Sequence, residues 1–213
     1  MCIRDRTTTL AAMMDHRNEN ATGHILTIED PIEYVFRNKR SVVNQREIGT
    51  DTASLQIGLK NALRQAPDVI MIGEIRDRET MSAAIAYAQS GHLCLATLHA
   101  NNSYHALNRI LSFYPVEARP TMLGDLAAAL RAVVSQRLLR THTGGRVPAM
   151  EVMLNTALIA DLILKADFSG VREAMEKSLA EGSQSFEQDL ARLIRDGLVS
   201  RNEGLAHADS PNN

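Results

Sequence analysis

The chain has 213 residues, 45% of them hydrophobic and 23% charged, which is ordinary for a globular protein holding one α/β core and a small appendage. Its net charge of -2 and its 4% aromatic content, without tryptophan, argue against nucleic-acid binding. Two cysteines are too few for a disulfide framework, and no apolar run approaches the ~20 residues of a membrane-spanning helix.

The first predicted element is a helix. Apolar residues at helical spacing predict it from Thr8 to about Asn20. Residues 1–6 contain no apolar signal-peptide stretch and join this helix without a loop. We therefore expect residues 1–6 to be a non-native lead.

The next segments are predicted to be β-structure. His24–Glu29 is a short strand that ends at Asp30-Pro31, because proline lacks a backbone donor. Residues 34–36 and 41–45, joined by the basic turn Arg37–Arg40, predict an exposed β-hairpin. This basic turn has two possible roles. It is a patch that faces a phosphate or another subunit, or it is a hairpin turn in contact with solvent only.

The segment 68–77 carries the clearest strand signal. It follows a predicted helix that Asp51 caps, and Val69–Gly73 is apolar or glycine without alternation, as in a strand buried on both faces of a parallel sheet. Glu74 and Arg76 come directly after it. A buried strand that ends in an acid has the form of a Walker B element, although a plain core strand with a charged loop has the same appearance.

A crossover to a second strand follows. A small-residue helix from Arg78 to Ser90 is closed by Gly91, and His92–His99 is predicted to be another buried strand with a polar end. Strand, helix and strand in this order predict a right-handed parallel crossover, and therefore an α/β fold.

Three polar segments are predicted at strand ends, namely 29–33, 74–77 and 97–101. Parallel strands bring their carboxyl ends to one edge of the sheet. Singly, these segments also fit a capping turn, a charged loop and a structural histidine. Together they favour a phosphate and metal site, because Mg²⁺ requires oxygen ligands and a γ-phosphate requires polar groups nearby.

The rest of the chain is predicted to contain helices around one strand pair. Helices are expected over 103–113, 121–134, 156–165, 170–181 and 185–196, and strands over 136–140 and 147–154. The domain boundaries expected from this pattern are 7–155 for the main α/β domain, 156–200 for a helical subdomain, and 201–213 for a polar, disordered tail.

Four ordered motifs carry a resemblance. They are Thr-Thr-Leu-Ala-Ala-Met at 8–13, Thr27–Glu33, Ala62–Asp77 and Ser90–Ala100. With them the chain resembles the PilT/PilU family of type IV pilus retraction (twitching-motility) ATPases, within the superfamily of type II and type IV secretion ATPases. The resemblance implies a RecA-like P-loop NTPase core with a mostly parallel sheet, β-hairpins and a small helical carboxy-terminal subdomain.

The resemblance also implies roles for single residues. Glu29 matches the catalytic carboxylate of the family's aspartate box, with Glu33 as second candidate; Glu74 matches the Walker B acid, and His92 and His99 match the histidine box. The roles implied are catalysis for Glu29, Glu33, Glu74 and His99; nucleotide binding for Thr7, Thr8, Arg76, His92 and His99; and Mg²⁺ binding for Glu74 and Thr7.

The chain departs from the family at its start. Asp5-Arg6-Thr7 stands where the phosphate loop of the family has Gly-Lys-Ser/Thr. A fork-shaped arginine does not fit a site built for the point charge of lysine. We expect a fragment that lacks the family's amino-terminal domain and binds ATP poorly.

Two features bear on the branch of the family. Assembly and secretion ATPases of the PilB and GspE type usually carry a four-cysteine zinc site, which Cys2 and Cys94 alone cannot form. The retraction signature Ala-Ile-Arg-Asn-Leu-Ile-Arg appears only as Ala157–Leu164, without either arginine, which favours the PilU side of the family. As an alternative, that helix is simply amphipathic.

The resemblance implies a motor that couples ATP hydrolysis, with Mg²⁺, to pilus retraction. Its expected partners are copies of itself or a related subunit in a hexamer, and the platform protein of the inner membrane, without nucleic acid and without direct membrane insertion. The expected location is the cytoplasm, at the inner-membrane face. The alternatives are an idle accessory subunit of such a ring and an assembly or secretion ATPase of the same superfamily.

Overall fold

The computed structural model of the chain describes residues 4–177 and 181–209. The chain divides into two compact units between Leu98 and His99. The elements of the amino-terminal unit are α1 (Arg4–Asn20), β1 (Gly23–Glu29), β2 (Ser41–Glu47), α2 (Leu55–Ala62), β3 (Val69–Ile72), α3 (Arg78–Gln89) and β4 (Leu93–Ala96).

The four strands of this unit form one parallel sheet in the order β2-β1-β3-β4. On one face, Leu10 and Met14 of α1 pack against Ile25, Val69 and Met71. On the other face α2 packs closely against β1, since a Cβ added to Gly58 would stand 3.3 Å from the Ile28 side chain. The predicted parallel α/β architecture is confirmed.

The hairpin expected over residues 34–45 is wrong. Residues 34–36 form no strand, and β2 instead pairs in parallel with β1. Side chains satisfy the loop backbone: the Phe36 amide donates to Gln45 Oε1 at 2.8 Å, and Asn18 Nδ2 donates to the Arg37 carbonyl at 2.8 Å. A segment whose backbone groups are satisfied in this way has no need of a strand partner.

The strand β4 is only partly buried, contrary to expectation: its two end residues are exposed, and Cys94 and Leu95 are half-buried. It lies at the end of the strand order, and Leu93 is 44% exposed. A continuous apolar run does not distinguish a central strand from an edge strand, because the two have the same pattern in sequence.

The carboxy-terminal unit combines an antiparallel strand pair with helices. Its elements are α4 (Ser103–Ser112), α5 (Arg119–Ala129), β5 (Ala132–Arg140), β6 (Arg146–Leu154), α6 (Ala157–Leu164), α7 (Phe168–Lys177), α8 (Phe186–Arg195) and α9 (Arg201–Ala206). Leu139 and Ala149 of the strands share a buried cluster with Phe186, Leu190 and Leu193 of α8.

The largest boundary differences in this unit lie at the end of α5 and the start of β5. The helix expected to reach residue 134 ends at Ala129, where the Asn155 side-chain amide donates to the carbonyls of Ala127 and Leu130 at 2.8 and 2.9 Å. The β-branched Val133 and Val134 then pair with β6 instead of continuing the helix.

The tail expected to be disordered from residue 201 begins with α9. Ser200 caps that helix by accepting a hydrogen bond from the Glu203 amide at 3.1 Å. Residues 210–213 of the expected tail, like residues 1–3 of the expected lead, lie outside the described residues. The domain boundary expected at residue 155 stays a prediction.

Within residues 4–177 and 181–209, no helix is both long enough and apolar enough to cross a bilayer.

Candidate active site

The carboxyl ends of β1 and β3 lie side by side. The register pairs Ile28 with Ile72, so Glu29 and Gly73 are the next residues along neighbouring strands, and Glu74 follows. The Gly73 amide donates to the Ile28 carbonyl at 2.9 Å, which continues the ladder past the strand. Two of the three predicted polar segments therefore meet at one edge of the sheet. The third, 97–101, begins at the same edge, since the Ile75 amide donates to the Thr97 carbonyl at 2.9 Å.

Gly73 is where the two chain segments come closest. A Cβ added at this position would stand 3.3 Å from the Ile28 carbonyl oxygen and 3.4 Å from Glu29 Cα. Both neighbours are backbone and cannot rotate away. The glycine therefore sets the spacing between the Glu29 and Glu74 segments.

Glu29 is a buried carboxylate held by neutral donors. It is 4% exposed, and its Oε1 accepts hydrogen bonds from Thr27 Oγ1 at 2.6 Å and from Gln45 Nε2 at 3.1 Å. Gln45 is itself anchored, since Nε2 also donates to the Tyr34 carbonyl at 2.7 Å. A buried charge is tolerated only when hydrogen bonds replace its water, and here they also fix its orientation.

Glu74 lies beside an arginine. Arg76 Nε and Nη2 both lie 2.8 Å from Glu74 Oε2, and Arg76 Nη1 lies 3.9 Å from Asp30 Oδ2. The Glu74 side chain is 21% exposed and that of Arg76 is 65% exposed. An accessible carboxylate at a strand end suits a divalent cation, and the guanidinium beside it suits a phosphate.

The amino-terminal part of α1 lies at the same edge. The helix runs back from this edge to the start of β1, and Thr8 Oγ1 lies 2.7 Å from the hydroxyl of Tyr34, five residues beyond Glu29. Thr7 belongs to the same part of the helix and is partly buried. A helix amino terminus offers free N–H groups and positive potential to an anion.

The two histidines occupy different places. His92 precedes β4 and so lies at the opposite, amino-terminal edge of the sheet, where its Nδ1 is 3.2 Å from the Tyr87 carbonyl. His99 lies three residues after the end of β4 and begins the second compact unit. The sheet therefore brings Glu29, Glu74 and Arg76 together and separates His92 from them.

The remaining predicted groups lie on the surface. Glu33 is exposed in the loop after Pro31. In the basic turn, Lys39 Nζ lies 2.8 Å from Asp15 Oδ1 and 2.6 Å from Glu19 Oε1, and these hydrogen bonds raise the pKa of Lys39. Two acids of α1 therefore compensate the charge of Lys39, whereas Arg37 and Arg40 of the same turn are exposed.

The protein ligands available for Mg²⁺ at this edge of the sheet are few. In the part of the chain that the structure describes, no three His, Cys, Asp or Glu side chains form a metal-binding group. Magnesium in nucleotide sites usually takes one or two protein ligands and completes its shell with phosphates and water. One accessible carboxylate, Glu74, and one threonine hydroxyl at the start of α1 fit that pattern.

Three residues that shape this edge are not among the site residues predicted from the sequence. Thr27 and Gln45 hold Glu29, and Tyr34 bonds Thr8. Thr27 carries a signal, because a residue two positions before Glu29 on a strand shares its face. Gln45 and Tyr34 carry no such signal, because the predicted hairpin places neither of them beside Glu29 or α1.

The chain is similar to proteins of pilus and secretion systems. The family model described as "Type II/IV secretion system protein" matches residues 5–197. The type IV pilus ATPase PilU of Pseudomonas aeruginosa is 51% identical over 208 residues, covering 97% of this chain and 54% of PilU. PilT of the same organism, a type IV pilus retraction ATPase, is 38% identical over 98% of this chain and 60% of PilT.

A solved structure shares the fold. The crystal structure of the pilus retraction motor PilT with bound ADP has a TM-score of 0.88 and 39% identity, covering 96% of this chain and 58% of that one. The chain thus spans between half and two thirds of the length of these relatives.

Proposed function

The chain belongs to the type II/IV secretion system protein family, and from this premise we propose that it is the ATP-hydrolysing core of a motor subunit that drives type IV pilus retraction. The support is its 51% identity to PilU and the fold that it shares with ADP-bound PilT. The observation that carries the proposal is the buried, hydrogen-bonded carboxylate of Glu29 beside the Glu74 segment at the carboxyl edge of a parallel sheet.

In this proposal Glu29 polarises the attacking water. Thr27 and Gln45 bind the same oxygen, Oε1, so the carboxylate is fixed and Oε2 is assigned to the water. A well-placed general base contributes about 10²–10⁴-fold to such a reaction. Glu33, which is exposed, is the second candidate for this role.

The other groups bind nucleotide and metal. Glu74 and the Thr7 hydroxyl would hold Mg²⁺, which neutralises the developing charge on the phosphates. Arg76, and Thr8 at the start of α1, are assigned to phosphate oxygens. The resemblance assigns His92 and His99 to the nucleotide as well; the position of His92 at the far edge makes His99 the stronger candidate.

The polypeptide of this sequence is proposed to bind ATP weakly. Asp5 and Arg6 precede Thr7, where the family has the glycine and lysine of the phosphate loop. That loop supplies the backbone N–H groups that cradle the phosphates. Supplying it should therefore raise the affinity for ATP.

The proposal extends to assembly. The resemblance implies a ring, and we propose that this chain forms a hexamer of its own copies or a mixed ring with a related subunit. Nucleotide-driven closing and opening of the sites would turn the inner-membrane platform protein from the cytoplasmic side.

A second candidate is an accessory subunit that joins a motor ring without turnover. The helix α6 favours it, because Ala157–Leu164 lacks both arginines of the retraction signature and exposes Leu158 and Leu164 by 52% and 53%. An assembly or secretion ATPase of the same superfamily is a third candidate, which the 51% identity to PilU makes less favoured.

The test is ATP hydrolysis by a chimera in which residues from Thr7 onward follow the amino-terminal part of PilU, including its phosphate loop. We expect Mg²⁺-dependent hydrolysis that Glu29→Gln lowers by about 10²-fold or more, since the amide cannot accept a proton. The substituted side chain keeps an oxygen for the Thr27 hydroxyl, so the melting temperature should change little.

Glu33→Gln tests the second candidate, and Glu117→Gln, which removes an exposed carboxylate that the proposal does not use, is the matched control. Equal rates for Glu29→Gln and the unsubstituted chimera would make the catalytic assignment wrong. Rings without any turnover would favour the accessory subunit. The chimera is also compared with the 213-residue polypeptide, whose weaker ATP binding is the expected result.

A further inference from the structure

A buried carboxylate in the carboxy-terminal unit holds the start of α4. Glu151 lies in the middle of β6 and is 9% exposed. Its Oε1 accepts hydrogen bonds from the Ser103 amide at 2.7 Å and from the Ser103 hydroxyl at 2.6 Å. Ser103 is itself 2% exposed, so this contact is shielded from water.

The contact fixes one end of a short segment. Ser103 is the first residue of α4. The N-cap of this helix is Asn102, whose side chain accepts a hydrogen bond from the His105 amide at 2.8 Å. A carboxylate at a helix amino terminus gains from the helix dipole and from charge-assisted hydrogen bonds. The strand β6 thereby determines where α4 begins and in which direction the preceding residues leave it.

Those preceding residues carry His99. Only residues 100–102 separate it from Ser103, and the segment 99–102 is irregular. A segment this short transmits a displacement at Ser103 to the histidine. We propose that Glu151 is a positioning residue for His99, an inference that rests on the proposed function because that function assigns His99 to the nucleotide.

The role is separable from a general contribution to folding because the same unit contains a comparable carboxylate. Asp189 is 2% exposed and accepts a hydrogen bond from the Met150 amide at 2.8 Å, one residue before Glu151 on the same strand. Its other partner among the described residues is Arg192, at 2.8 Å, on its own helix. Asp189 thus supports β6 through Met150, whereas Glu151 connects β6 to the start of α4.

The experiment compares Glu151→Gln, Glu151→Ala, Ser103→Ala and Asp189→Asn. Hydrogen exchange is measured in the 213-residue chain, and kcat and KM for ATP in the PilU chimera. We expect Glu151→Ala to speed exchange in residues 99–104 at least tenfold and to lower kcat about tenfold at least. Glu151→Gln, which keeps an acceptor oxygen for Ser103, should recover part of both.

Asp189→Asn is the control for stability. It should loosen β6 and α8 without a selective effect on residues 99–104, and kcat should stay within about twofold. The inference is overturned if Glu151→Ala and Asp189→Asn change exchange in 99–104 equally. It is also overturned if Glu151→Ala leaves kcat unchanged while His99→Ala lowers it.

The exchange and kinetic results distinguish a wrong proposed function from a wrong positioning role for Glu151. If the unsubstituted chimera does not hydrolyse ATP, or if His99→Ala keeps full activity, the proposed role of His99 is wrong, and the positioning role of Glu151 in the reaction falls with it. Exchange in residues 99–104 then shows whether Glu151 still orders this segment, which is the structural half of the inference.

Discussion

At the scale of single residues, the environment of Glu29 decides its proposed role. The sequence shows only an acid after an apolar strand, a pattern shared with many capping turns. The fold buries that acid to 4% exposure and supplies Thr27 and Gln45 as donors. Gln45 comes from β2, whose pairing with β1 has no local signal in the sequence.

Cys94 gives a residue-scale prediction about pH. Burial raises the pKa of its thiol from 9.0 to about 12. At pH 8 the folded chain should therefore hold about a thousandfold less thiolate than an ordinary cysteine, and alkylation by iodoacetamide should be slowed accordingly. The rate should rise about tenfold per pH unit toward pH 12.

The measurement uses a Cys2→Ser variant, so that Cys94 is the only thiol, with the urea-unfolded chain as reference. Equal alkylation rates in the folded and unfolded chains at pH 8 would contradict the burial. The sign for stability follows from the same shift: the unfolded chain ionises first as pH rises above 9.0, so folding becomes less favourable between 9.0 and about 12.

At the scale of elements, Gly73 links strand packing to the site. Gly73→Ala would place a methyl group against the backbone of β1, 3.3 Å from the Ile28 carbonyl oxygen. We expect a loss of about 1–2 kcal/mol in the free energy of unfolding, as for other overpacked sites. The ATPase rate of the chimera should fall at least tenfold, because the Glu29 and Glu74 segments move apart.

Gly124→Ala is the matched control for urea unfolding and ATPase assays. Apart from its chain neighbours and the backbone of its own helix, no atom of the described residues lies within 4 Å of a Cβ at Gly124 in α5. Alanine should therefore stabilise the helix by about 0.5–1 kcal/mol. A Gly73→Ala variant that is as stable and as active as Gly124→Ala would show that the close approach does not set the spacing.

The segment after α9 is tied to the strand pair by one arginine. Arg137 Nη1 donates to the His207 carbonyl, Nη2 lies 2.6 Å from Asp209 Oδ1, and the guanidinium stacks on Phe186 at 3.9 Å. Arg137→Lys keeps the charge but loses the planar fork. We expect faster hydrogen exchange over residues 203–209 and a loss of about 1–2 kcal/mol in stability.

Lys177→Arg serves as the control, since it exchanges the same two side chains in the opposite direction at an exposed residue of α7 whose Glu173 pair is typical of a surface helix. Exposed pairs of this kind contribute about 0.3–0.5 kcal/mol. If Arg137→Lys changed exchange over residues 203–209 no more than Lys177→Arg, the tie through Arg137 would not order the segment.

At the scale of the whole molecule, assembly is the property to measure. If the proposed ring forms, light scattering of the chimera with Mg²⁺ and a non-hydrolysable ATP analogue should give six times the mass of one chimera chain. The expected cause is nucleotide bound at subunit interfaces, which stabilises the assembled state by mass action. A monomer at all concentrations and nucleotide states would contradict the ring.

The sequence by itself determined the local elements and the parallel α/β class. Apolar runs, caps and turn residues predict helices α1, α3, α4 and α8 and strands β1 and β3 nearly as observed. It also determined that Glu29 and Glu74 share an edge, because the carboxyl ends of neighbouring parallel strands coincide. These features depend on periodicity and handedness, which nearby residues encode.

Only the tertiary structure decided which distant segments meet. It pairs β2 with β1, brings Gln45 to Glu29, places His92 at the far edge, leaves β4 only partly buried, and ties Glu151 to Ser103. The physical reason is that strand pairing and burial depend on partners far along the chain, whereas local patterns reveal only which segments need a partner.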